Sequence, residues 1–90
     1  MAGNKESAIQ QYNEALLIYE SFPEAHQNLA NLYDSIAEDW KALYHHKLSV
    51  AYSRSAAFKA SAIINVVLAE VKLIGVRKKE RLTELLGLLG

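Results

Sequence analysis

Pro23 is the only proline in this chain, and it sets where the first helical pattern must stop. A proline pushes the residue before it out of the α region, so the run "KESAIQQYNEALLIYE" is expected to end near Ser21. Within that run Ala8, Tyr12, Ala15 and Tyr19 share one stripe, with Ile9 and Leu16 beside it, and Asn4 is placed to cap the first turn. Proline is tolerated in the first turn of a helix. Ser21 and Glu24 therefore read as a capping box that opens a second helix.

That second helix carries Ala25, Leu29, Leu32 and Ile36 on one face, and "AED" supplies its break. A third starts from about Asp39, with Trp40, Leu43, Tyr44, Leu48 and Ala51 on one side. Short connections between such helices favour antiparallel hairpins. Beyond Tyr52 the spacing predicts a helix that ends near Gly75, either separate from the third or running on from it. The β-branched residues Ile63, Ile64, Val66, Val67 and Val71 keep a strand as the alternative. As a helix its apolar residues cover more than one stripe, so it must be buried on several sides or face another chain. "VRKKERLTELLGLLG" then reads as a basic turn leading to a leucine-rich final helix that frays at Gly87. The expected fold class is all-α, a small helical bundle forming a single domain over 1–90, with helical hairpins at 4–54 and capping or oligomerisation helices at 55–90.

Composition supports a packed chain: 51% of residues are hydrophobic and 22% charged, which excludes disorder for most of its length. A domain of this size buries only about two thirds of its unfolded surface, so a partner or a second copy could matter. Net charge is zero, yet residues 1–45 hold two basic against seven acidic side chains, and residues 46–90 hold eight against three. The halves thus stand at −5 and +5, complementary within a chain or between antiparallel copies. There is no cysteine, so no disulfide framework, thiol nucleophile or thiolate metal site, and a cytoplasmic location is expected. "MAGNKES" lacks a basic region followed by an apolar run, so no secretory signal is expected of it. The apolar stretch from Ala56 to Val76 is interrupted by Lys59, Glu70 and Lys72, each of which costs about 2.5–3.5 kcal/mol at mid-bilayer.

Self-similarity appears at an interval of 34 residues: Ala8 with Ala42, Tyr12 with His46, Ala15 with Ser49, Leu16 with Val50. Together with "HQNLANLY" these residues resemble the tetratricopeptide repeat, about one and a half copies over residues 8–52. His26 stands where that family usually has Trp, Leu29 at its Leu, Ala30 at its small residue and Tyr33 at its Tyr. Ala42 takes the small position of the second helix, His46 its aromatic and Ser49 the following small residue. His replaces both aromatics, Glu20 and Arg54 stand where a repeat-ending proline belongs, and no third copy aligns after residue 54.

What the resemblance implies is a non-catalytic protein-interaction module that binds a peptide or partner helix. Its peptide-binding residues would be Gln27, Asn28, Asn31 and Asp34; the amides of the first three can bridge the donors and acceptors of an extended backbone. A second reading is a self-assembling structural protein, a homo-oligomer whose interface is Ile63, Ile64, Val67, Val71 and Ile74. A third is membrane-surface association through residues 77–89, led by the basic patch Arg77, Lys78, Lys79 and Arg81. No aromatic residue lies in that segment, so nucleic acid is not expected as a partner.

His45 and His46 are adjacent and point about 100° apart on a helix, so they cannot share a metal ion as i, i+4 residues do. Packing is expected of His26 and His46, exposure of His45, and no metal site. No catalytic residue or cofactor is expected either: there is no cysteine, no Gly-rich phosphate loop and no His-Glu-x-x-His.

Overall fold

A computed structural model describes residues 3–89, and among these every regular element is a helix: α1 (Gly3–Ile18), α2 (Pro23–Ser35), α3 (Asp39–Tyr52) and α4 (Ala56–Leu89). Each packs against the next in sequence order, α1 on α2, α2 on α3 and α3 on α4. The all-α expectation holds, and the strand alternative for the apolar stretch after Tyr52 does not.

Local chemistry explains the breaks. α1 stops at Ile18, before the expected Ser21, and the chain turns through Tyr19–Phe22. The Ser21 and Glu24 capping box is not formed: the cap of α2 is Phe22, in extended conformation with no side-chain hydrogen bond, and Pro23 supplies the first helical residue. Proline's fixed φ and missing N–H suit that position without a side-chain cap. α2 closes through Ile36 and Ala37, whose amides donate to the carbonyls of Tyr33 and Asp34. Ala37 takes φ 61°, a left-handed conformation that costs a non-glycine residue about 1–2 kcal/mol.

Residues 38–74 form two helices, parted at Ser53–Ser55. Ser53 ends α3, its amide and Oγ both donating to the Val50 carbonyl, and Ser55 Oγ accepts the amide of Phe58 as the N-cap of α4. The expected end at Gly75 is overturned. α4 runs through Gly75, the basic segment and Gly87 for 34 residues, about 51 Å at 1.5 Å per residue, against a longest molecular dimension of 52 Å. A lone glycine costs a helix only about 1 kcal/mol, less than the good helix formers on either side of it supply.

The core is made mostly of small side chains. Ala25, Ala30, Ala42, Ser49, Ala62 and Ala69 are buried, with Leu29, Leu43 and Leu73 as the large members. Small residues let the backbones of α2, α3 and α4 approach closely, so the apolar rows meet without large side chains between them. This corrects the expected packing face of α3: Ala42, Leu43, His46 and Ser49 point inward, while Trp40, Tyr44 and Ala51 are exposed. The aromatic rings expected in the core lie instead at its rim, half a turn from the buried alanines.

Candidate protein-interaction site

Two histidines and two tyrosines link α2 and α3. Tyr52, His26, His45 and Tyr33 form a continuous stack with ring centroids 5.6, 5.2 and 5.6 Å apart. Tyr44 meets His45 edge-on, and the Lys41 ammonium lies over the Tyr33 ring. His26 Nε2 sits 2.8 Å from the Glu20 carbonyl, which only accepts, so Nε2 carries the proton. In the neutral ring Nδ1 is then the acceptor, and it takes a hydrogen bond of 3.0 Å from His45 Nδ1. The pair ties the α1–α2 connection to both helices. Burial, followed by the neighbouring rings of His26 and His46, pushes His45 down to about 4. His45 is therefore half-buried in the stack rather than exposed, while His26 and His46 are buried as expected.

Over the open side of this stack lies a groove of about 750 Å³ between α1 and α3. Ile9, Leu16 and Leu17 of α1 face Tyr44 and Leu48 of α3, with His26 and His45 between them. Its edge along α1 and the following turn is acidic, with Glu6, Glu14 and Glu20, and among the described residues no Lys or Arg lines it. The signal was present in the sequence: Leu17 and Ile18 follow Leu16 without a polar residue, more apolar surface than one packing stripe needs. In the structure Leu17 and Ile18 are 87% and 89% exposed.

A second, more polar depression lies on the face where α2 and α4 flank α3. Asn31 and Asp34 of α2 meet Asn65, Leu68 and Lys72 of α4 there, with His46 beneath. His46 Nε2 is 3.3 Å from Asp34 Oδ2, and its buried Nδ1 has no partner among the described residues. Lys72 forms ion pairs with Asp39 at 3.1 Å and Asp34 at 3.7 Å, and its contact with Asp39, together with both carboxylate charges, raises its pKa against the opposing desolvation. Of the four amide and acid positions expected on α2, the structure brings Asn31 and Asp34 into this depression. Asn28 opens with Asn31 on a separate shallow cleft toward Tyr12 and Lys5, and Gln27 is half-buried. Sequence reasoning missed Asn65 and Lys72, although Asn65 stands 34 residues after Asn31.

α4 carries apolar surface on two sides. Ala62, Ala69 and Leu73, with Val66, dock it on α3 around Leu43. Ile63, Ile64, Val67, Val71 and Ile74 are all exposed, each at 46% or more. Of the basic patch, Arg77 stacks over Trp40 at 4.8 Å, and Lys78, Lys79 and Arg81 are exposed on the helix beyond. Among the described residues no helix is long and apolar enough to cross a membrane, and no group of three His, Asp or Glu is placed to hold a metal ion.

The arrangement combines stacked rings, exposed aliphatic side chains and segregated charge. No family model, curated protein or solved structure matches this chain.

Proposed function

We propose that this chain is a non-catalytic protein-interaction module that takes up an amphipathic peptide or helix. The observation that carries the reading is the α1–α3 groove, in which aliphatic and aromatic side chains stand exposed beneath an acidic edge. Apolar burial in such a groove supplies affinity, at about 25 cal/mol per Å² removed from water, and the carboxylates select basic partners and fix register. Selection of 15-residue peptides from a displayed random library tests it. Enriched peptides should combine leucine at helical spacing with Lys or Arg, and Leu17→Asp should weaken them at least tenfold. Peptides that bind Leu17→Asp as well as the parent chain would remove the groove from consideration.

A second reading is favoured by the pair Asn31 and Asn65, 34 residues apart and lining one depression with Asp34 and Lys72. In a tetratricopeptide-like module the two would stand at equivalent groove positions, with the start of α4 as the first helix of a further repeat whose sequence has diverged from the pattern. Peptides selected through that face should lose affinity on Asn31→Ala and Asn65→Ala and ignore Leu17→Asp.

A further inference from the structure

We infer that the occupant of the α1–α3 groove is the C-terminal part of α4 from a second copy of this chain. The inference rests on the reading of that groove as a helix-docking site and names its partner.

α4 is straight past its last anchor. Leu73 is buried and Arg77 rests on Trp40, and the twelve residues that follow in the helix extend about 18 Å further. On that extension Leu82 and Leu86 are exposed, one turn apart. At 100° per residue Lys78 and Lys79 fall on the leucine side, while Glu80 and Glu84 fall on the opposite side. The extension thus presents an apolar and basic face, with its own acids turned away from it. The groove is its complement: apolar residues under Glu6, Glu14 and Glu20, with no Lys or Arg among the described residues lining it.

A chain's own extension cannot reach its own groove without breaking α4, because the straight helix carries it away from the body. A second copy meets no such obstacle. Docking also aligns the exposed aliphatic row of α4, Ile64, Val67, Val71 and Ile74, with the partner, since by helical spacing that row and Leu82 share one side. The +5 and −5 halves of the chain are thereby brought together between copies. Such a contact either closes reciprocally as a dimer or propagates head to tail.

The test is light scattering on the full chain after size exclusion, with two variants that leave the core untouched, Leu17→Asp in the groove and Leu86→Asp on the extension. The parent chain should exceed its monomer mass of 10.0 kDa, each variant alone should be monomeric, and an equimolar mixture should regain a complex through its one intact contact. A labelled peptide of residues 76–90 should bind the Leu86→Asp chain, weaken on the order of tenfold between low salt and 0.5 M salt, and fail to bind Leu17→Asp. Charge reversal at Glu14 and Glu20 to Lys should reproduce the Leu17→Asp loss if that variant misfolds. A parent chain that stays monomeric at every concentration and does not bind the peptide overturns the inference. If the displayed library still yields basic amphipathic binders that depend on Leu17, the groove serves a different chain; if it yields none, the groove reading falls with the inference.

Discussion

His45 shows how one side chain couples protonation to the fold. Its ring is stacked between His26 and Tyr33 and donates through Nδ1 to His26, and its burial, followed by the nearby rings of His26 and His46, disfavours its charged form. Its folded pKa of about 4 lies below the ordinary 6.5, so the folded state binds fewer protons than the unfolded state in that interval. Its contribution is complete above pH 6.5 and is lost as pH falls from 6.5 toward 4. Because the ring is only half-buried, solvent screening reduces the effect to about 1–2 kcal/mol. Urea midpoints at pH 7.5 and 4.5 should therefore drop more in the parent chain than in His45→Gln. Equal drops would show that the ring's environment does not penalise its charged form. The packing roles of His26 and His46 were legible because they sit on the apolar side of a 3.6-residue period. That of His45 was not, because a ring stack depends on where the neighbouring helix places its own rings.

Helix existence is a local property in this chain, and helix ends are where local rules compete. The turn after α2 forces Ala37 to a positive φ, while α4 carries Gly75 in open surroundings, where an added methyl group would meet nothing within 4 Å. Exchanging the two preferences should stabilise both places: Ala37→Gly relieves the left-handed penalty, and Gly75→Ala restricts the unfolded chain and restores helix propensity. Each is expected to add about 0.5–1 kcal/mol, read as an increase in the denaturant midpoint without a change in slope. A fall in midpoint for Gly75→Ala would mean that α4 bends there in solution. The expected stop at Gly75 and the basic turn after it failed for one reason. Glycine and charged residues weaken a helix by small increments, and Arg77 gains a ring to stack on at Trp40 that no local window contains.

At the scale of the whole molecule the core is narrow, and Leu29 is the largest side chain wholly withdrawn from solvent among the described residues. Leu29→Ala should cost about 2–5 kcal/mol, a large part of a total stability on the order of 5–15 kcal/mol. The expected readout is a loss of cooperative melting by circular dichroism; a melt that stays within a few degrees of the parent would show that the site collapses around the gap. Local periodicity, one proline and the small residues Ala30, Ala42 and Ser49 were enough to determine the first three helical segments and the short turns between them, since those signals act within a few residues of where they are read; the single long α4 was not legible in this way. They also determined that the apolar C-terminal stretch had more apolar surface than one face could bury. Only the tertiary structure decided which side of that stretch docks on α3 and which stays bare, that α1 and α3 leave a groove over the histidine stack, and that Asn31, Asn65 and Lys72 share a depression. Each of these depends on the angle and depth at which two helices pack, and that is set by contacts between residues far apart in the chain.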